Sequence, residues 1–284
     1  MASLKDIRRR IRATKSMQQI FKAMEMVAAA KLRRAQQRAL ASSPYARKIT
    51  EMLNNLAGAA TELDHPLFQS REVKKTALVV ITADRGFAGA YNTNVLRVAE
   101  QRLREAPKGS LVVVAIGRKG RDYLRRRGFP ILFSHTDLPG EASLDLARQL
   151  TQELTERFVS GEIDRVEISY SHFVNALVRR VQTEVFLPVG TQEGAAPQDR
   201  GTIFEPNPEA IFRELVVRYA TARLYAAMAD ALASEHSARM VAMGSARKNA
   251  GELVDSLTLT RNRLRQAAIT REIAELVGGA EALK

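Results

Sequence analysis

The residues best placed to do chemistry follow a short apolar run in the first half of the chain. That run ends in a glycine-containing turn, Thr82-Ala83-Asp84-Arg85-Gly86-Phe87-Ala88-Gly89-Ala90-Tyr91-Asn92, which precedes a helical stretch. Such turns often bind phosphate in proteins that alternate strands and helices. The spacing of Gly86 and Gly89 fits neither common phosphate-loop pattern, and no Lys-Ser or Lys-Thr follows. We therefore favour a structural turn over nucleotide binding, with Asp84 and Arg85 able to pair locally.

Other catalytic chemistry finds little support in the sequence. The 284 residues include no cysteine, which excludes a thiol nucleophile, a disulfide framework and cysteine-ligated metals. The four histidines are scattered without an i,i+4 pair, so a histidine metal site is disfavoured. No G-x-S-x-G motif and no Ser-His-Asp constellation is visible. We expect no active site, no metal and no cofactor.

The positive charge is concentrated at the beginning of the chain. Lys and Arg number 44 against 31 Asp and Glu, a net charge of +13. Residues 1–50 hold 13 of the basic residues and only two acids, Asp6 and Glu25. A solvated basic helix face is one reading; nucleic acid, an anionic membrane surface or an acidic protein surface are the others. The apolar runs are too short for a membrane span.

Both ends of the chain have the pattern of very long helices. From Ser3 to about Leu56 there is no glycine, and Pro44 alone predicts a bend. Ser3, followed by Asp6, is a candidate helix cap. Apolar residues spaced three and four apart predict a coiled-coil seam made of Leu4, Ile7, Ile11, Met17, Ile20, Met24 and Val27, diluted by Thr14 and Gln18.

The second helical pattern begins after Glu205-Pro206-Asn207-Pro208 and runs to Leu276, before Gly278-Gly279. An early apolar face comprises Ile211, Leu215, Leu224, Met228 and Leu232. A later seam comprises Leu253, Leu257, Thr260, Leu264 and Ala267. Two long amphipathic helices at opposite ends of a chain pair most simply with each other, so we expect an antiparallel coiled coil.

The middle of the chain alternates short β-branched runs with helical stretches, which predicts an α/β unit with a largely parallel sheet. The expected strands are Thr76 to Thr82, Leu111 to Ile116, Ile131 to Ser134, Val166 to Tyr170 and Val181 to Leu187; the expected helices are Asn94 to Glu105, Arg118 to Arg127 and Leu144 to Val159. The turn-rich stretch from Gly190 to Gly201 predicts a surface loop. The domains are therefore 1–57, 73–190 and 207–284.

Three motifs together resemble one protein family. They are residues 22–36 (KAMEMVAAAKLRRAQ), residues 84–92 (DRGFAGAYN), and residues 234–243 (SEHSARMVAM) with 261–273 (RNRLRQAAITREI). In this order and at these separations they closely resemble the gamma subunit of F-type ATP synthase. The resemblance implies a mixed α+β and α/β fold, in which a long antiparallel coiled coil accompanies a central Rossmann-like domain. It also implies a rotor shaft that is not itself catalytic.

The resemblance further implies partners and contact residues. The partners are the alternating alpha and beta subunits, the epsilon and delta subunits and the c-subunit membrane ring, at the cytoplasmic face of a bacterial inner membrane. Met24 and Arg239 match positions near the acidic lever loops of beta, beside the basic residues Lys31, Arg33 and Arg34. Arg265, Gln266 and Thr270 match positions that contact the inner surface of the alpha/beta ring. A basic helix facing acidic loops would also account for the charge.

Two departures from the family pattern stand out. The turn reads Phe87-Ala88-Gly89-Ala90-Tyr91 where the family usually has Leu-Cys-Gly-Gly-Leu, so its backbone is less free. Gly244-Ser245-Ala246-Arg247-Lys248 lacks the usual initial Lys and the Thr-Asp step, which puts any contact made by that acid in doubt. The alternatives are a basic coiled-coil protein that binds nucleic acid, although Phe21 is the only aromatic residue before Tyr45, and an enzyme built on the α/β middle.

Overall fold

The computed structural model describes residues 3–59, 65–190 and 207–281, without the side chains at 39–43, 45–46, 54–59, 208 and 279–281. Its elements are α1 (Leu4–Ala59), β1 (Thr76–Ile81), α2 (Tyr91–Glu105), β2 (Leu111–Ile116), α3 (Arg118–Arg126), β3 (Ile131–His135), α4 (Leu144–Val159), β4 (Arg165–Phe173), β5 (Arg179–Leu187) and α5 (Pro208–Glu281). The chain forms two compact units. Residues 1–28 and 239–284 are the helical unit, and residues 29–238 are the sheet unit.

The two long helices begin at the caps that the sequence provides. The Ser3 hydroxyl donates to the Asp6 carboxylate at 2.8 Å and accepts from the Asp6 amide at 3.2 Å, which confirms the predicted cap. Helix α1 continues through Pro44. At the start of α5, the Asn207 side chain accepts from the Ala210 amide at 2.8 Å.

Helix α5 is longer than predicted. It was expected to end at Leu276, and it continues through Gly278 to Glu281. A glycine inside a helix costs only about 1 kcal/mol relative to alanine, and the glycine pair is followed by Ala-Glu, which are good helix formers. The glycines therefore do not end this helix.

The sheet unit contains one five-stranded sheet in the order β3-β2-β1-β4-β5. Strands β3, β2, β1 and β4 are parallel, and β5 pairs antiparallel with β4. All five predicted strands are present within two residues of their expected starts, and the largely parallel sheet is confirmed. The predicted loop from Gly190 to Gly201 lies almost wholly outside the described residues.

Helices cover both faces of this sheet because alternate residues of β1 point to opposite sides. Leu78 and Val80 join the core that includes the buried residues of α2 and α3. Ala77, Val79 and Ile81 join the core that includes α4 and part of α5. The predicted early face of α5 is confirmed, because Leu215, Leu224 and Met228 are buried in that core. Full burial of each large apolar side chain contributes about 1.5–3 kcal/mol, so this sheet is a rigid base for the loops at its edge.

Candidate interaction surface on the long helices

Within the helical unit, α1 and α5 pack as an antiparallel pair. A buried apolar cluster joins Ile7 and Ile11 of α1 to Val254 of α5, with Leu257 and Leu264 packed against it. Further along, Gln18 faces Gly251 and Glu25 faces Gly244, so numbers rise on one helix as they fall on the other. The predicted antiparallel pairing, including the roles of Ile7, Ile11, Leu257 and Leu264, is confirmed.

The seam itself differs from the one predicted. Its positions on α1 follow an unbroken alternation of four and three residues: Ile7, Ile11, Thr14, Gln18, Phe21, Glu25 and Ala28 are all buried or half-buried. The residues Met17, Ile20 and Val27, predicted in the seam, are 51%, 55% and 56% exposed. On α5, Leu253 is 50% exposed, and Thr260 and Ala267 are also exposed. The prediction chose only apolar residues for the seam. It misplaced the seam because Thr14, Gln18 and Glu25, in the middle of it, are polar.

Glycines and an ion pair accommodate these polar seam residues. Arg247 Nε donates to Glu25 Oε2 at 2.8 Å. A Cβ on Gly244 would lie 3.1 Å from Glu25 Oε1, and a Cβ on Gly251 would lie 2.9 Å from Gln18 Nε2. The absence of side chains at 244 and 251 therefore makes room for Glu25 and Gln18. The sequence analysis did not predict these contacts between the two helices, although strict four-three spacing from Ile7 would have placed Gln18 and Glu25 in the seam.

Ten large apolar side chains among the described residues of the helical unit are exposed at positions around the two helices, and together they are here called the outer apolar face. On α1 it comprises Met17, Ile20, Met26 and Val27; on α5 it comprises Leu253, Leu259, Ile269, Ile273, Leu276 and Val277. Their exposed fractions run from 47% for Ile269 to 74% for Leu276. Scattered exposed apolar residues are ordinary, whereas a large contiguous apolar patch often marks an interaction site.

The contact residues predicted from the resemblance are divided between the two units. Met24, Arg239, Arg265, Gln266 and Thr270 belong to the helical unit, and Lys31, Arg33 and Arg34 belong to the sheet unit. Arg265, Gln266 and Thr270 are exposed on the same turns of α5 as Ile269 and Ile273. Met24 and Arg239 are half-buried.

The three basic residues in the sheet unit are all exposed. Lys31 and Arg34 line a cavity of about 240 Å³ with Arg38 and the loop residues 140–142. Glu141 pairs with Arg38 at 2.5 Å. Glu141 therefore sets one acidic side chain against the basic residues Lys31, Arg34 and Arg38 that line this cavity.

The turn after β1 has a structural role. Asp84 Oδ1 accepts from the Arg118 amide at 2.7 Å, and Oδ2 accepts from the Leu138 amide. One carboxylate thus links the segments that follow β1, β2 and β3. Asp84 pairs with these amides rather than with Arg85, which is exposed. Both oxygens of this carboxylate are engaged in holding loops together, as a structural turn requires.

The backbone of this turn takes left-handed values at Phe87 (φ 61°) and Gly89 (φ 54°). Phe87 is 69% exposed at that uncommon conformation. Ala83, Ala88 and Tyr91 are buried with Ala238 of α5. The loss of the family's second glycine therefore does not prevent a tight turn, because packing against α5 holds it.

A close crossing supports the same edge of the sheet. Thr82 Oγ1 donates to the Ile116 carbonyl at 3.0 Å and accepts from the Gly120 amide at 2.9 Å. A Cβ on Gly117, whose φ is 96°, would lie 2.2 Å from the Thr82 carbonyl oxygen. The position therefore requires glycine. Nothing in the local sequence pattern had indicated this contact between distant segments.

Two groups in the sheet unit, Glu100 and Tyr170, have large pKa shifts. Hydrogen bonds from the Tyr123 hydroxyl and Arg104 lower the pKa of Glu100 to about 2. Burial raises the pKa of Tyr170 to about 12. Both groups stay in their ordinary charge state near neutral pH, so neither acts as an acid or base there. Within residues 3–59, 65–190 and 207–281 we find no cluster of acidic and histidine side chains able to hold a metal ion.

Comparison with known proteins gives the class of this molecule. The family model for ATP synthase matches residues 3–283. The ATP synthase gamma chains of Moorella thermoacetica and Desulforamulus reducens are each 47% identical to this chain and are matched over 100% of both lengths. The chain belongs to the ATP synthase gamma chain family. It is accordingly a non-catalytic stalk subunit of ATP synthase.

Solved structures agree with this fold. A chain from the central stalk and c-ring of Tetrahymena thermophila mitochondrial ATP synthase has a TM-score of 0.63 at 25% identity, covering 80% of this chain and 99% of its own length. A chain of Euglena gracilis mitochondrial ATP synthase has a TM-score of 0.72 at 20% identity, covering 99% and 94%. The second likeness shows the fold alone. The expected fold class and family are confirmed, and neither comparison points to a nucleic-acid-binding protein. In the part of the chain that the structure describes, no helix has the length and apolarity needed to cross a membrane.

Proposed function

We propose that this stalk subunit turns inside a ring of alternating alpha and beta subunits and couples proton-driven rotation of a c-subunit membrane ring to ATP synthesis or hydrolysis. The observation that carries the proposal is the outer apolar face, on a chain that matches gamma chains over its whole length. A helix pair that exposes several large apolar side chains is suited to being enclosed by a partner.

The chemistry of this face suits contacts that must be made and broken repeatedly. Met17, Met24 and Met26 are flexible, unbranched side chains that adapt to changing surroundings. Exposed ion pairs contribute about 0–1 kcal/mol each, so basic residues on the surface can attract acidic loops without trapping the shaft. Met24 and Arg239 are proposed to meet acidic loops of beta, together with Lys31, Arg33 and Arg34.

A second contact zone is proposed on α5. Arg265, Gln266 and Thr270 offer exposed hydrogen-bonding groups on turns that also carry Ile269 and Ile273. That mixture of an apolar patch and polar donors is typical of protein interfaces. We propose that it meets the inner surface of the alpha/beta ring.

The division of the chain follows from these roles. Residues 1–57 and 207–284 are proposed to form the shaft, and residues 73–190 the α/β domain that meets the epsilon subunit and the c-ring. The delta subunit is a further member of the complex. The subunit is proposed to be peripheral, at the cytoplasmic face of a bacterial inner membrane.

One co-purification tests this proposal. A tagged chain is isolated from its native cells at low salt, and we expect it to bring a large complex with ATPase activity. Changing Leu259, Ile269 and Ile273 together to serine should reduce the yield of that complex, because it removes part of the outer apolar face. Leu144→Ser, at a 43% exposed position in the sheet unit, is the matched control and should leave the yield of the complex unchanged. Recovery of nucleic acid without an ATPase would contradict the proposal.

A further inference from the structure

The polar middle of the helix pair places polar side chains of α1 against glycines of α5. Gln18 and Glu25 lie one heptad apart on α1, and the glycines that face them, Gly251 and Gly244, lie one heptad apart on α5. A Cβ on Gly244 would lie 3.1 Å from the end of the Glu25 side chain, and a Cβ on Gly251 would lie 2.9 Å from the end of the Gln18 side chain. The ion pair between Glu25 and Arg247 lies at the same level as Gly244.

The apolar seam residues alone specify the alignment weakly. Ile7, Ile11, Val254 and Leu257 are similar aliphatic side chains, and a slip by one heptad could still bring aliphatic residues together. The same slip in one direction would place Glu25 opposite Gly251 in place of Gly244, and Val254 would take the position that Arg247 now has beside it. The Glu25 carboxylate, whose side chain is 28% exposed in the observed alignment, would lose its ion-pair partner there.

We propose that the Glu25–Arg247 pair, seated against Gly244, fixes the axial register of α1 and α5 and thereby positions the outer apolar face for coupling. Glu25 is followed directly by Met26 and Val27 of that face and preceded by Met24. Any axial slip would displace these side chains relative to Leu253 and Leu259 on α5. The pair is a positioning device: it acts through the residues that meet the ring. The coupling part of this inference rests on the proposed function; the register part does not.

Disulfide trapping reads the register directly, because the chain contains no native cysteine. Gln18→Cys with Gly251→Cys reports the observed alignment. Gln18→Cys with Gly244→Cys, or with Thr258→Cys, reports an alignment slipped by one heptad. In the full-length chain we expect the first combination to cross-link efficiently and the other two hardly at all, since a disulfide needs Cβ atoms within about 4.5 Å.

Charge reversal then tests the ion pair. Glu25→Lys or Arg247→Glu should raise cross-linking of the Gln18→Cys, Thr258→Cys combination several-fold, and the double variant Glu25→Lys/Arg247→Glu should restore the original pattern. Lys248→Glu is the matched control, because Lys248 pairs with Glu252 on its own helix. In the assembled complex without added cysteines, each single reversal should lower ion pumping per ATP, and the double reversal should recover it.

Cross-linking tests the role of the ion pair in register, and ion pumping per ATP tests its role in coupling. An unchanged cross-linking pattern in both single variants would overturn the proposed role of the pair in register. A slipped pattern with unchanged pumping per ATP would overturn its role in coupling. Failure of the parent complex to pump at all would count against the proposed function, while the cross-linking result would still decide the register.

Discussion

Arg102 on α2 donates two hydrogen bonds to Glu167 on β4, from Nε to Oε2 and from Nη2 to Oε1, each 2.9 Å long. Glu167 is 5% exposed, whereas the Arg102 side chain is 37% exposed. The two residues of this ion pair therefore differ in their access to water. The arginine can reach water if its partner is lost, and the carboxylate cannot.

Arg102→Ala should therefore destabilise the protein more than Glu167→Gln. The alanine variant leaves a buried carboxylate unpaired, which costs about 3–5 kcal/mol. Glutamine keeps a hydrogen-bond acceptor and should cost about 1 kcal/mol. Urea unfolding of both variants measures the difference. Equal losses of unfolding free energy would show that burial of Glu167 does not control this pair.

Glu100 should make the free energy of unfolding depend on pH in the acidic range. Its pKa is about 2 in the folded protein against an ordinary value of 4.5, because Tyr123 and Arg104 hydrogen-bond the charged form. A group with a lowered folded pKa contributes stability that is fully present above pH 4.5 and is lost as the pH falls toward 2. Glu100→Gln should flatten that part of the stability curve.

The measurement for Glu100 is thermal unfolding across this pH window. Glu105→Gln, at an exposed position on the same helix, is the control and should follow the parent curve. A Glu100→Gln curve with the parent's slope between pH 4.5 and 2 would refute the assignment.

Gly117→Ala should lower the free energy of unfolding severely. Its Cβ would lie 2.2 Å from the Thr82 carbonyl oxygen, on backbone with a φ of 96°. We expect a loss of more than about 4 kcal/mol or failure to fold. Gly109→Ala shares a left-handed φ of 84° but has no atom within 4 Å, so it should lose only about 1–2 kcal/mol. Similar denaturation midpoints for both variants would show that the contact with Thr82 relaxes easily.

Met24→Lys should uncouple the complex. It places a long cation at a half-buried position filled by a flexible apolar side chain, where a new strong pairing with an acidic loop would resist movement. We expect normal assembly and ATP hydrolysis with reduced ion pumping in sealed vesicles. Arg33→Ala, which removes one exposed charge, should have a smaller effect. Equal pumping per ATP in the Met24→Lys variant and the parent would sink this assignment.

The sequence predicted the elements of this fold better than their contacts. Strands such as β1 and β2 are continuous apolar runs, and only one fold class places helices over both faces of such a sheet. Ser3 and Asn207 marked the helix starts correctly because capping is local. The seam was misplaced because Met17 and Ile20 are apolar and yet exposed, and the hydrophobic pattern alone does not tell an exposed apolar position from a buried one.

The sequence pattern also did not predict the contacts between distant segments, because spacing within one element does not identify partners on another. The partner of Glu25 is Arg247, and the glycine that admits it is Gly244; neither is identified by spacing within α1. The turn containing Asp84 was recognised as structural, but its amide partners at Arg118 and Leu138 depend on the order of the strands. The contact residues carried over from the family stay predictions, because they concern other subunits.

Rotation of the subunit within its complex is the most direct test of the proposed function. Lys108 is exposed in the sheet unit, and Lys108→Cys would be the only cysteine of the chain, so it can carry a single visible probe. With the alpha/beta ring fixed to a surface, ATP should drive the probe through continuous rotation in one direction. A probe that stays still while the same immobilised complexes hydrolyse ATP would contradict the account.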